Sequence, residues 1–302
     1  MNPDLRTGLI AGLAAYTLWG SLPLYFRALG HIGPAELLAH RIIWSLPTGI
    51  IFIALAAQWN RVRAAMTPAK LGWLAVSALL IGANWLVYIY AVSVDRVMEA
   101  SIGYYINPLV SVLFGLIFFA ERLRPAQWAA VALACIGVAV LTRAFGYIPW
   151  IALALCFLFA FYGAIRKKIA VEGRTGFVIE AAILFPLAAT WLTVMVARGE
   201  APPMGRGGWD IPLLLASGPI TPVPLICFAV AAARLKLSTV GMMQYIAPTL
   251  QFLIAVFIFR EPFSQVHAVA FGFIWLALLI FTADSVIGNA KARRLARAAE
   301  LR

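Results

Sequence analysis

Tyr105-Ile106-Asn107-Pro108 recurs 140 residues later as Tyr245-Ile246-Ala247-Pro248, and in each copy a glutamate, Glu121 or Glu261, follows the proline by 13 positions. Leu113/Leu253, Phe119/Phe259, Ala130/Ala270 and Thr142/Thr282 keep the same shift. A fixed shift carried by several residue types at once is the mark of an internal duplication. What each copy contains then decides the fold.

Each copy is a train of apolar runs. Of the residues, 63% are hydrophobic and 12% charged, against about 25% charged in an ordinary soluble domain. A helix needs about 20 apolar residues to cross the hydrocarbon core, and ten runs qualify, near 7-27, 34-57, 71-92, 99-119, 125-143, 147-166, 176-197, 210-231, 239-259 and 264-287. Pro34, Pro68, Pro125, Pro149, Pro202-Pro203 and Pro262 fall at or between run ends, where a missing N–H costs least. The first run is followed at once by more of the same and lacks a small-residue cleavage site, so it reads as a mature helix rather than a signal peptide. Cys135, Cys156 and Cys227 each lie inside an apolar run, as small packing residues rather than a disulfide framework or a metal site.

The net charge of +12 would suit nucleic acid if it formed one face, but the basic residues are scattered between apolar runs, so no nucleic-acid partner is expected. Membrane topology accounts for them better. With the N-terminus inside, seventeen lysines and arginines fall in cytoplasmic segments, among them Arg166-Lys167-Lys168 and the tail from Lys291 to Arg302, against six outside, with Arg41 within a span. That bias puts both termini in the cytoplasm. The shift spans five runs, an odd number, so the second copy enters the membrane from the opposite side. The fold class is therefore an all-α integral membrane protein of ten transmembrane helices in two inverted five-helix repeats. Residues 1-145 form the first repeat, 146-288 the second and 289-302 a basic cytoplasmic tail. Inverted repeats of this kind build transporters, with the substrate site near the midplane where the halves meet.

A set of motifs strengthens that reading. Trp19-Gly20, the run from Glu36 to His40-Arg41, Asn84-Trp85, the run from Glu99 to Pro108, Glu121 to Pro125, Tyr162-Gly163 with Arg166-Lys167-Lys168, Gln244 to Thr249, and Glu261-Pro262 together resemble the EamA family of the drug/metabolite transporter superfamily. The resemblance runs through nearly the whole chain. It implies a 5+5 permease of the inner membrane, commonly an exporter of metabolites or drugs. Asp95-Arg96 and Arg260 depart from the family pattern at span edges.

Polar groups inside apolar runs are the candidate site, because at membrane depth they face the bundle interior or a wet cavity. Asn84 and Tyr88 share a helix face four residues apart; Tyr104 and Asn107 form a stripe with Tyr105 beside it; Gln244 and Gln251 mirror that stripe with Tyr245 next to it. Trp19 and Tyr162 add rings. These ten residues are the expected substrate-binding set, walling a central chamber opened by bends at Pro108 and Pro248. The alternative for the amides is interhelical bridging, and for the rings core packing or interface anchoring.

Glu36, His40, Arg41, Glu99, Arg166 and Glu180 are the gating or coupling candidates. Arg41 lies roughly 10 Å below the outer face and Glu180 roughly 6 Å from the inner one. In a core about 30 Å thick they are too far apart to pair. Arg41 is expected to meet Glu99, Glu36 or Asp95, and Glu180 to meet Arg166, Lys167, Lys168 or Arg234. A carboxylate desolvated there could couple transport to a proton. There is no Walker A sequence, zinc-protease motif or Cys/His cluster, so neither a cofactor nor an enzyme activity is expected. The expected partners are membrane lipid and a small organic solute; proton coupling, facilitated diffusion and exchange are equally open. A facilitative channel-like pore and a non-transporting interaction protein stay open as alternatives.

Overall fold

The computed structural model describes residues 3–119, 123–202, 207–235, 239–240 and 243–300. Glu121 and part of the ninth expected span, residues 241 and 242, lie outside that set. Among the described residues the chain is helical throughout, without a strand. The helices are α1 (Pro3–Ala28), α2 (Pro34–Leu55), the short α3 (Trp59–Ala65), α4 (Pro68–Ser93), α5 (Val97–Phe119), α6 (Pro125–Phe145), α7 (Trp150–Ile169), α8 (Gly173–Ala197), α9 (Asp210–Ile220), α10 (Pro222–Arg234), α11 (Ile246–Leu253) and α12 (Gln265–Glu300). A π-helical turn, Ile254–Ile258, follows α11.

Nine stretches among the described residues are long and apolar enough to cross a membrane, with α9 and α10 counted as one, Asp210–Arg234. Prolines open α2, α4, α6 and α10, where the ring removes an N–H that has no intrahelical acceptor anyway. The ninth expected span is shorter, Ile246–Ile258.

The two copies of the repeat differ in local structure. Around Pro108 the helix is continuous, because α5 runs through Tyr105, Ile106 and Asn107 without a stop. In the second copy Gln244 and Tyr245 form a turn, and Pro248 sits in the first turn of α11. The expected bend of both helices about equivalent prolines is thus corrected in the second copy. There the helix breaks at Gln244 and Tyr245, where Pro248 has no N–H to offer the Gln244 carbonyl, and it restarts at Ile246 with the proline in its first turn.

Helices pack mainly across the boundary between residues 1–145 and 146–288. α1 lies against α10 and α11, α2 against α8 and α9, α4 and α5 against α7, and α6 against α12. One apolar cluster ties these layers together, from Leu22 and Phe26 through Ile89, Ile102 and Leu109 to Leu155, Phe252, Phe271 and Ile274. Two contacts are very close. A Cβ on Gly103 would stand 2.6 Å from the Ala152 carbonyl oxygen, and one on Gly218 would stand 2.5 Å from that of Trp44.

Gly103→Ala is therefore expected to cost about 1–3 kcal/mol, the usual range for overpacking against unyielding backbone. Gly163→Ala, inside α7 with nothing within 4 Å of its added Cβ, is the control and should melt no lower than the parent, since alanine favours a helix over glycine by about 0.5–1 kcal/mol. Equal melting of both variants in detergent would contradict the close approach of α5 and α7.

Candidate functional site

The sequence-predicted residues fall into three layers along the bundle. At one end, the carboxylate of Glu261 accepts hydrogen bonds from the Val97 and Met98 amides, at 2.6 and 2.8 Å. Those amides begin α5, and a helix leaves its first N–H groups without internal partners and partly positive. Glu99, 2% exposed, does the same for α7, accepting from the Ile151 amide at 2.9 Å. Its other oxygen takes Arg96 Nε at 2.9 Å. Arg96 in turn lies over the rings of Tyr147 and Trp150, 4.7 and 5.7 Å away. Arg27, at the end of α1, donates to Asp95 at 2.5 Å and sits 5.3 Å above Phe259. Asp95 and Arg260, two of the three residues that depart from the family pattern, both take left-handed backbone, φ 55° and 58°, which reverses the chain after a helical segment.

In the middle layer Arg41 is 4% exposed. Its Nε donates to Thr221 Oγ1 at 3.0 Å, and its guanidinium lies 4.3 Å from the Trp85 ring and 5.5 Å from Phe26. The expected pairing with Glu99 or Asp95 is corrected. Glu99 is taken by Arg96, three residues earlier and just ahead of α5, and Asp95 by Arg27, while the register of α2 turns Arg41 toward the α9–α10 junction. Glu36 and His40 are buried on the same helix. Asn84 donates to the Leu155 carbonyl at 3.1 Å and accepts from Tyr104 at 3.4 Å, and the Tyr88 and Tyr104 rings lie 5.7 Å apart. On the other side of α5, the Tyr105 hydroxyl meets Thr249 at 2.7 Å. Gln251 donates to the Trp19 carbonyl at 3.3 Å, and Trp19 packs against Tyr16 and Phe228. Gln244 is half-buried, and Tyr245 packs on the main apolar cluster.

Asn84, Tyr88, Tyr105 and Gln251 are each no more than 3% exposed. These four are thus shielded from solvent in this conformation, whereas Trp19, Tyr104, Tyr162, Gln244 and Tyr245 of the expected set are half-buried. Four of the candidates keep a buried polar atom with no hydrogen-bond partner: His40 Nε2, Tyr88 Oη, Asn107 Oδ1 and Gln251 Oε1. Such atoms are rare in folded proteins and concentrate where function demands them.

At the other end Glu180, 3% exposed, accepts from Ser77 at 2.5 Å, Tyr162 at 3.3 Å and Arg166 at 3.4 Å. Of the basic residues named for Glu180, Arg166 is the one that meets it. Arg166 also donates to the Val171 and Glu172 carbonyls, and Glu172 caps α8 through the Thr175 amide. Tyr162 thus belongs to this charged cluster rather than to the central set. Ser77 and Thr221 were missed because a lone hydroxyl in an apolar run carries no periodic signal, and the capping role of Glu261 because it depends on tertiary contact.

Comparison with known proteins agrees with this architecture. The EamA-like transporter family matches residues 6–143. Protein RarD of Escherichia coli (strain K12) is 47% identical over 93% of this chain and 95% of its own. An uncharacterized transporter of Vibrio cholerae is 45% identical over 96% and 97%. The chain belongs to the EamA-like transporter family. It is a multi-pass protein of the inner membrane, as the nine apolar stretches and the RarD relatives together indicate. A crystal structure 22% identical in sequence shares the fold with a TM-score of 0.60 over 90% of this chain and 96% of that one.

Two outcomes follow for this EamA-like protein. Burial lifts the Glu261 carboxyl from 4.5 to about 7, against the lowering by the Met98 and Val97 amides. A carboxyl raised on folding stabilises the folded state below about 4.5 and loses that contribution as pH rises through about 7, at about 1.4 kcal/mol per pH unit inside the window. Melts of Glu261→Gln should be flatter than those of the parent between pH 4.5 and 7; an unchanged slope would contradict the assignment. At the other end, Arg166→Met strands a buried carboxylate and should cost about 3–5 kcal/mol. Adding Glu180→Gln should restore much of that loss, and a double variant no better than the single would count against the pair.

Proposed function

We propose that the protein is a secondary carrier that exports small organic metabolites or drug-like compounds by alternating access between two inverted five-helix halves, residues 1-145 and 146-288, with both termini in the cytoplasm. The observation that carries this reading is the pattern of packing. Under an exchange that sends each span to the one five places on, the contact of α1 with α10 becomes that of α7 with α4, and α1 with α11 becomes α7 with α5. The pairs α2 with α8 and α6 with α12 map onto themselves. That is the behaviour of a twofold-related pair of bundles.

The charged clusters at the two ends are the gates in this reading. Arg27–Asp95, Arg96–Glu99 and Glu261 close the outer mouth, and Arg166–Glu180 the inner one. Alternating access requires that each cluster break in turn while the other holds. Glu36, Glu99 and Glu180 are the candidates for proton coupling, since a carboxylate exchanging its partners between lipid-depth and wet surroundings changes its affinity for a proton.

Purified protein in proteoliposomes, screened with aromatic and aliphatic metabolites with and without a proton gradient, is expected to show saturable flux and counterflow for at least one solute. Glu180→Gln should cut any gradient-driven part at least about tenfold, in line with loss of a titrating group. Unitary conductance would favour the pore, and absence of flux for every solute that binds would favour an interaction protein.

A further inference from the structure

Glu261 is a carboxylate from one half of the bundle that holds a helix of the other. Its two oxygens each take one amide at the start of α5, Val97 at 2.6 Å and Met98 at 2.8 Å, while the residue itself follows the π-helical turn after α11. It is 6% exposed, and none of the ion pairs among the described residues includes it. Its backbone is fixed as well. The Glu261 amide donates to the Ala255 carbonyl at 2.9 Å, and Arg260 before it takes left-handed backbone.

The titratable and charged groups around it are mostly engaged with one another. Asp95, in the turn before α5, is paired with Arg27 of α1, and Glu99 of α5 with Arg96. Tyr147, between α6 and α7, lies against Arg96, and His267 on α12 is bonded to Ser264. Arg260 adjoins Glu261 in the chain. Burial is the largest influence on the Glu261 carboxyl and raises it, the Asp95 carboxylate adds to that rise, and the Met98 and Val97 amides with Arg27 lower it. The balance carries the group from 4.5 to about 7.

In the carrier reading, opening the outer mouth parts the two halves where this carboxylate joins them. Parting wets the carboxylate and removes the burial cost, which returns the group to the ordinary carboxylate range. The closed mouth therefore holds a proton more tightly than the open one. Linkage makes that preference reciprocal, so a bound proton holds the mouth shut. A protonated carboxyl also keeps its carbonyl oxygen as an acceptor for an α5 amide, and closure survives protonation.

We infer that Glu261 is a proton-operated latch of the outer mouth: protonated, it keeps α5 joined to the segment after α11, and ionised, it lets them part. This deepens the carrier reading, and rests on it for the claim that the outer mouth opens. It adds an outer proton acceptor to Glu36, Glu99 and Glu180. The sign suits exchange of an exported solute for an entering proton, because the unprotonated protein opens outward, releases the solute, takes up a proton there and closes with it.

The test reads the width of the outer mouth by pulsed electron spin resonance on the full-length protein in lipid nanodiscs. Spin labels go on Val94→Cys and Gln265→Cys, two exposed positions on either side of the Glu261 contact, in a chain with Cys135, Cys156 and Cys227 replaced. The ratio of wide to narrow distances is expected to rise at least about tenfold as pH climbs from 4.5 to about 7, and to level off above it. The same interval caps the rise at about 300-fold. Glu261→Gln, a neutral side chain, should stay narrow at every pH. Asp95→Asn removes the opposing charge and should move the rise to lower pH, a shift that a merely structural contact would not show. A ratio that ignores pH, or falls as pH rises, overturns the inference. So does a Glu261→Gln protein with the parent's pH response, or, should that variant not fold, an unmoved rise in Asp95→Asn. Counterflow of a solute with a pH-insensitive mouth would remove the latch and leave the carrier, whereas a pH-driven change of width without counterflow of any solute would do the reverse.

Discussion

Close approach of helices across the boundary near residue 146 is the constraint on which the rest depends. In lipid there is no hydrophobic force to drive one apolar helix onto another, so association relies on tight packing and small residues. Gly20 faces Leu250 and Ala247, Gly103 faces Ala152, Gly137 faces Ile274 and Ala270, and Gly218 faces Trp44. Each of these contacts joins a residue before 146 to one after it. Neither segment could bury these faces alone, and so polar groups from both come to share the same layers.

Those polar groups obey one rule in two forms. Backbone groups exposed at helix starts are met by carboxylates from elsewhere in the chain, Glu261 for α5 and Glu99 for α7. Charged side chains are met by a partner from another helix or turn, as Glu180 is by Arg166, Ser77 and Tyr162. Arg41 alone among the deeply buried charges described here is held by rings and one hydroxyl. An exception inside an otherwise satisfied network marks a place where function has a claim on the energy.

Much of this was legible in the residues. Apolar run length gave the helices, because spanning a membrane leaves few alternatives to a helix of about 20 residues. The Tyr-Ile-x-Pro repeat located the two segments that meet through Tyr105 and Thr249. Depth counting put Glu180 within reach of Arg166. The rest needed tertiary contact. Depth is a single coordinate, and it could not say that the rotation of α2 points Arg41 at Thr221 rather than at Glu99. It likewise could not separate Tyr162 from the central rings, or show that the second copy breaks at Gln244 and Tyr245 while the first stays helical through Asn107.

The opposed threading of the two copies is the claim from which gates, site and carrier all follow. Single cysteines at Leu123→Cys and Ser264→Cys, two residues and three residues past the paired glutamates Glu121 and Glu261, in a chain with Cys135, Cys156 and Cys227 replaced, report it directly through a membrane-impermeant thiol reagent applied to intact cells and to inverted vesicles. The account predicts that the cysteine at 264 reacts in cells and the one at 123 only in inverted vesicles. Reaction of both from the same side would contradict it.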